Sequence, residues 1–383
     1  MFETVSGFTT TGASILTDVE ALDNGMLFWR SFTHWLGGMG ILVFMLSLVN
    51  MGGQANHLLR AESPGPTVSK MVPNMRKSAA ILYGIYIVMT AVEVVLLLIG
   101  GMPLFDSLCT AFGTAGTGGF GIKNSSMGYY NSYYLQGVVS VFMALFGVNF
   151  NVYFFLLMKK YAMAWRNTEV RAYFAIIAGS TLIITFNILG MFPTAFDAFH
   201  HAFFAVSSVI TTTGFSTTDF DLWPQLSRCI LVLLMIVGAC AGSTGGGVKV
   251  TTFAVIILTI RSVAQGRDDC VIAEHHIESK TVYRALTIIV LGGLAAVGSA
   301  VVVFYNTSDA VSVIDAIFES CSAFGTVGLS VGVTAQLNRG AKILYMLVMF
   351  MGRVGPVSLA MSLTAKPDDN KRKIMPVGHI NVG

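Results

Sequence analysis

Charge is what this sequence has least of. Only 11% of its 383 residues are Asp, Glu, Lys or Arg, against about 25% in a soluble globular chain. Hydrophobic residues make up 54%. The deficit excludes a soluble domain and implies a chain that crosses a membrane several times. Net charge is only +3, which argues against nucleic acid as a partner. Cysteines are few: Cys109, Cys229, Cys240, Cys270 and Cys321 are scattered without metal-ligand spacing and read as small apolar residues. The first residues carry no secretory signal pattern. Gly242-Ser243 and the histidines lack the Gly-x-Ser-x-Gly turn and paired acid that a hydrolase needs, so no enzymatic activity is expected.

Against that background four polar turns stand out. Thr9-Thr10-Thr11-Gly12-Ala13-Ser14 and Thr211-Thr212-Thr213-Gly214-Phe215-Ser216 are nearly the same string. Gly325-Thr326-Val327-Gly328-Leu329-Ser330 and Gly116-Thr117-Gly118-Gly119-Phe120-Gly121 are two further versions. Aligned on Gly12, Gly119, Gly214 and Gly328, they place Thr10, Thr117, Thr212 and Thr326 two residues earlier. Four copies of one turn in a membrane chain imply four walls around one hole.

The turns sit in a repeating unit of span, short helix, turn and span. Spans of the about 20 apolar residues that cross a bilayer are expected near 26–51, 79–101, 135–158, 172–192, 284–305 and 341–363. Shorter apolar pieces precede the turns at 104–116, 196–210 and 313–324. The units are a partial 1–52, which lacks its opening span, then 79–160, 172–261 and 284–364, with a charged tail at 365–383. Phe2-Glu3 stands before Gly12 as Phe318-Glu319 stands before Gly328, so the chain is expected to open inside the first short helix. Basic residues gather in 52–78, 159–171 and the tail, which assigns those segments, and the C-terminus, to the cytoplasm. The turns then open outward, with Asp219 and Asp221 at a mouth or in a solvated loop.

Irregular backbone at membrane depth is tolerated only where protein buries it or it lines a cavity. Glycine permits positive φ, so carbonyls can turn toward an axis. A ring of carbonyl oxygens can replace the water shell of a monovalent cation. The preceding short helices aim their negative dipole ends inward. Neutral oxygens without carboxylates favour K⁺ over Mg²⁺ or Ca²⁺. The candidate ion ligands are therefore Thr10, Thr11, Gly12, Thr117, Gly118, Gly119, Thr212, Thr213, Gly214, Thr326, Val327 and Gly328.

One span is interrupted. Between apolar 229–240 and 250–260 lies Gly242-Ser243-Thr244-Gly245-Gly246-Gly247-Val248-Lys249, a candidate gate on the cytoplasmic side of the turns. A kink that eases packing is the competing reading. It is not a phosphate loop, because Val248 separates Gly247 from Lys249. Arg353 lies in the last span, where a charge is costly and faces a cavity or partner; facing the pore, it could reach the carbonyls of 242–249. Glu93, equally costly, is expected to pair with a basic or hydroxyl group. His34, His200 and His201 read as packing or hydrogen-bonding residues. In Trp35-Leu36-Gly37-Gly38-Met39-Gly40, small residues would let another helix approach closely.

These strings, with Gly352-Arg353-Val354-Gly355-Pro356, resemble the Trk/Ktr/HKT superfamily of K⁺ transporters over essentially the whole chain. The last is closest to the KtrB type and the first equally TrkH-like. The resemblance implies an all-α membrane protein of four membrane–pore-loop–membrane repeats around a pseudo-fourfold pore. It implies a filter at the four glycines, with Gly12 of the K⁺-preferring type, and an intramembrane gate at 241–249 beside Arg353. A homodimer is implied, one pore per protomer, seated in membrane lipid on cytosolic RCK-type nucleotide-binding subunits. No Gly-x-Gly-x-x-Gly motif in a βαβ setting occurs here, consistent with nucleotide sensing by a partner. No cofactor is expected beyond the transported K⁺, with Na⁺ or H⁺ as candidate coupling ions. The expected role is the translocation subunit of a K⁺ uptake system in the cell membrane. The alternative is an alternating-access carrier for another monovalent cation such as Na⁺, though such carriers usually repeat in two halves.

Overall fold

The computed structural model describes residues 1–40, 75–266, 270–272, 275–307 and 311–363. The expectations for 41–74 and for the tail beyond 363 lie outside these residues.

Four short helices end at the four turns: α1 (Phe2–Phe8), α4 (Leu104–Ala115), α9 (Ala195–Ile210) and α13 (Val313–Gly325). Each turn is followed by an inner helix: α2 (Asn24–Gly38), α5 (Tyr133–Phe146), α10 (Gln225–Val237) and α14 (Arg339–Val354). Each short helix packs against its own inner helix and the preceding one, and α14 returns to α1, so the chain closes into a ring. Outer helices α3 (Met75–Ile99), α8 (Thr168–Ile188) and α12 (Ser279–Asn306) pack on α4, α9 and α13 respectively.

Chemistry explains the layering. Val88, Val92, Val95 and Ile99 on α3, and Val290, Leu294, Val297 and Val301 on α12, are exposed at helical spacing, which forms a lipid-facing stripe. Among the described residues three helices are long and apolar enough to cross a membrane: Ala79–Ile99, Thr168–Met191 and Ser279–Asn306. Inside the ring, small residues set the distances, as expected for membrane helices. A Cβ on Gly38 would stand 2.7 Å from Gly116 Cα, and one on Gly37 would strike the Phe8 carbonyl.

Two expectations need correction. The span at 135–158 is not continuous: α5 and α6 (Phe150–Leu157) meet at 91°. The bend falls at Gly147-Val148-Asn149, where the backbone turns aside to pair with the interrupted helix. Gly147 O accepts Cys240 N at 3.1 Å, and Phe150 N donates to Gly242 O at 3.0 Å. The span at 341–363 also breaks, at Gly355 with φ 91°, before α15 (Pro356–Leu363); proline lacks the N–H that a continuous helix needs. The stretch 261–283 carries a short antiparallel hairpin, β1 (Cys270–Ile272) with β2 (His275–Ile277), the one departure from helix among the described residues' regular elements. The interrupted span is as expected: α10, then a loop, then α11 (Val250–Ala264). A short α7 (Tyr161–Trp165) links α6 to α8.

Candidate functional site

Each short helix delivers its turn in the same conformation. The N–H groups of Thr10, Thr117, Thr212 and Thr326 fold back onto the carbonyls of Gly7, Thr114, Val209 and Ala323 at 3.0, 3.0, 3.0 and 3.2 Å. The next N–H groups, of Thr11, Gly118, Thr213 and Val327, reach Ser6, Gly113, Ser208 and Ser322 at 2.9, 2.9, 2.8 and 2.9 Å. Donors are thus spent on the helix end, where orphan carbonyls need them. The carbonyls of Thr11, Gly118, Thr213 and Val327 have no hydrogen-bond partner among the described residues.

Those four oxygens close a ring. A Cβ added to Gly12 would strike Gly118 O, one on Gly119 would strike Thr213 O, one on Gly214 Val327 O, and one on Gly328 Thr11 O. Each glycine therefore abuts the carbonyl that precedes the next quadrant's glycine, and after four steps the circuit returns to its start. The turns converge at one level, as the aligned glycines required.

The glycines have φ of 78, 72, 83 and 78°. Sequence reasoning assigned positive φ to them alone. The structure adds Thr10, Thr117, Thr212 and Thr326, at 54, 51, 59 and 56°. A β-branched residue in the left-handed region is a genuine outlier and costs about 1–3 kcal/mol. Four such costs at four equivalent positions mark a surface whose geometry serves something other than stability. Left-handed residues thus stand on either side of Thr11, Gly118, Thr213 and Val327, whose own φ is not positive. The four ring oxygens are neutral backbone carbonyls. In the first and third quadrants hydroxyl pairs brace the turn: Thr9 Oγ1 to Thr11 Oγ1 and Thr211 Oγ1 to Thr213 Oγ1, each 2.8 Å.

The interruption in the third inner helix lies against these turns. Gly246 N donates to Thr212 Oγ1 at 3.0 Å. A Cβ on Gly245 would stand 3.1 Å from Thr211 O, and one on Gly246 3.0 Å from Thr326 Cβ. The first limb of the loop is tied to the second and third quadrants: Thr244 Oγ1 donates to Phe146 O at 3.1 Å, and Ala241 N to Glu169 Oε1 at 2.5 Å. Ser243 turns back on Cys240 O, and Gly247 N donates to Gly352 O at 3.1 Å. Lys249 Nζ donates to the carbonyls of Gly245 and Gly246, and Gly242 and Gly247 adopt φ of 75 and 64°.

Arg353 joins all of these parts. Its Nη1 donates to Thr10 Oγ1 at 2.9 Å and to Thr244 O at 2.5 Å, and its Nη2 to Gly38 O at 2.6 Å and to Gly37 O. The expected contact with loop carbonyls is present, and the first turn and the end of α2 are joined as well. Glu93 is fully buried and faces the Thr114 hydroxyl, in line with the expected hydroxyl pairing, although neither carboxyl oxygen reaches hydrogen-bond geometry with any of the described residues. Asp221 is paired with Arg228 at 2.6 Å and so is partly neutralised.

A closed ring of helix-borne turns, inside a lipid-facing shell of long helices, defines a membrane protein of the pore-helix class. A family model for TrkH, described as a cation transport protein, matches residues 1–374, and the chain belongs to that family. It is 36% identical to the Trk system potassium uptake protein TrkH of Vibrio parahaemolyticus over 276 residues, 69% of this chain and 56% of that protein. TrkH of Salmonella typhimurium is 36% identical over 258 residues, 65% of this chain and 53% of that protein. An uncharacterized cation transporter of Methanocaldococcus jannaschii is 29% identical over 366 residues, 92% and 73%. The crystal structure of the potassium transporter TrkH from Vibrio parahaemolyticus superposes with a TM-score of 0.79 at 27% identity, covering 95% of this chain and 77% of that one. The chain spans about half the length of these two TrkH relatives, 56% and 53%.

Proposed function

We propose that this chain is the translocation pore of a K⁺ uptake system, with the four turns as its filter and the 241–249 loop, held by Arg353, as its gate. The observation that carries the reading is the carbonyl circuit through Thr11, Gly118, Thr213 and Val327. Neutral oxygens in a ring suit a large, weakly hydrated monovalent cation and offer no carboxylate to a divalent one. The relatives named as potassium uptake proteins support the same ion. Against the turns, Gly246 N of the loop donates to Thr212 Oγ1 and Arg353 of α14 brings its positive charge to Thr10 Oγ1, which disfavours a cation at that level. Four quadrants support a pore over a two-half carrier.

The family resemblance supports a homodimer in the cell membrane, with a cytoplasmic C-terminus and cytosolic RCK-type regulatory subunits. The repeat boundaries at 79–160, 172–261 and 284–364 follow the same quadrants. Expression in a bacterium that lacks its own K⁺ uptake tests the reading. Rb⁺ uptake that excess K⁺ suppresses and excess Na⁺ does not is expected. Uptake suppressed equally by both, or absent while the protein is in the membrane, overturns it.

A further inference from the structure

His34 is a fully buried imidazole that neither the carbonyl ring nor the loop accounts for. It sits on α2, at the seam between the first and second quadrants. Its Nδ1 lies 2.9 Å from Gly7 O, and its Nε2 lies 3.2 Å from Phe120 N. Phe120 N–H can only donate, so Nε2 is the acceptor, and the proton therefore sits on Nδ1 and is donated to Gly7 O. Both ring nitrogens are committed, and only the neutral Nδ1–H tautomer satisfies both bonds.

The two partners are not arbitrary. Gly7 O is the carbonyl that also receives Thr10 N at 3.0 Å and so sets the first turn. Phe120 directly follows Gly119, the glycine of the second. Packing leaves the ring little freedom. A Cβ on Gly118 would strike the imidazole, and one on Gly116 would stand 3.0 Å from His34 Cβ. The Phe120 ring lies on it at 4.2 Å between centroids, with Arg30 over the same Phe120 ring at 4.0 Å. The glycines at 116 and 118 are thus explained as room for the imidazole and its helix.

We propose that His34 is a positioning residue for ion selectivity, a two-sided clamp that fixes the spacing between two adjacent walls of the ring. The proposal rests on the reading of that ring as the filter. A group with one donor and one acceptor at this separation can register two turns against each other, whereas an apolar ring of equal size fills the space without setting their distance. Glutamine also carries one acceptor and a donor, so it is the conservative substitute.

The test is the ratio of K⁺ to Na⁺ needed to halve Rb⁺ uptake. Wild-type protein is expected to discriminate, His34→Gln to stay near wild type, and His34→Phe to lose discrimination by at least about tenfold, as the loss of two buried hydrogen bonds implies. His34→Phe that reaches the membrane and discriminates like wild type overturns the clamp while leaving the pore reading intact. Wild-type protein that does not discriminate overturns the pore reading and the clamp with it. Nitrogen NMR of histidine-labelled wild-type protein gives an answer that needs no variant to fold. The Nδ1–H tautomer is expected for His34, and an Nε2–H tautomer or an imidazolium overturns the proposal.

Discussion

The gate reading makes its sharpest commitment at Gly246. This glycine faces the fourth turn so closely that a methyl group there would stand 3.0 Å from Thr326 Cβ, 3.1 Å from its Cγ2, and against its Oγ1. Its φ lies outside the region that favours glycine, so Gly246→Ala perturbs packing rather than backbone. Thr326 cannot swing away, because it is fully buried at the end of α13. Overpacking of a tight site costs about 1–3 kcal/mol, and the cost falls only on the position in which the loop touches the turn. A shift of that size changes a two-state ratio by about 5- to 150-fold. Basal Rb⁺ uptake by Gly246→Ala should therefore rise within that range. Thr326 Oγ1 is buried without a partner among the described residues, so Thr326→Ala breaks no hydrogen bond to them and makes room. The double variant should return most of the way to the wild-type rate, because only the contact with Cβ remains. Uptake by Gly246→Ala that is unchanged or lower, at normal abundance in the membrane, refutes the loop as a gate. A double variant as open as the single one refutes the clash as the cause.

Arg353→Gln removes charge-assisted bonds to Thr10, Thr244 and Gly38. Each such bond contributes about 1.5–3 kcal/mol, so basal uptake should rise at least about tenfold; a rate at the wild-type level would show that the loop holds without it. Gly214→Ser places a side chain at φ 83° against Val327 O and should weaken the preference for K⁺ over Na⁺ in competition assays, where an unaltered preference would remove Gly214 from the ion path. Glu93→Met replaces a buried carboxyl that faces the Thr114 hydroxyl but forms no hydrogen bond of good geometry among the described residues with an apolar side chain of similar length. It should stabilise the protein by about 1–3 kcal/mol, seen as a higher midpoint of thermal unfolding in detergent; a lower midpoint would show that Glu93 holds a bond in the native protein.

The turns were legible because their chemistry is local. A glycine with a threonine two residues earlier repeats four times, and each follows an apolar run too short to span. The interruption at 242–249 was legible for the same reason. The break at Gly355-Pro356 also had a local signal, a glycine before a proline, although apolar composition on both sides masked it. The bend at 147–149 had a small local signal, Gly147 at the end of α5 and Asn149 capping α6, but its partner, the loop that Gly147 and Phe150 bond, lies about ninety residues away in sequence. The left-handed threonines were hidden for a different reason. Local preference opposes that conformation in a β-branched residue, and only the assembled ring compels it. The partners of His34 and Arg353 were illegible too, because each reaches across a seam between quadrants. Sequence could name Arg353 as costly and place its target among the loop carbonyls, but not its bond to Thr10.

That distinction runs through the whole architecture. On the filter reading, coordination of one ion asks four quadrants to present the same backbone, and their threonine and glycine φ values agree within about ten degrees at the two left-handed positions while the side chains differ. Closure asks the opposite. A single axis has room for one plug, so only one inner helix can carry the loop, and the groups that hold it must differ from their counterparts. The third quadrant supplies the loop, the fourth Arg353 and Gly352 O, the second the bent helix that receives Cys240 N, and the first Thr10 and the carbonyls of Gly37 and Gly38. On the proposed gate reading, every quadrant thus contributes a different part to one closed state. Movement of the loop, on that reading, requires its bonds to the second and fourth quadrants, and to its own turn, to break together, which makes an all-or-none response the natural behaviour of a ring that is symmetric in its backbone and unequal in its side chains.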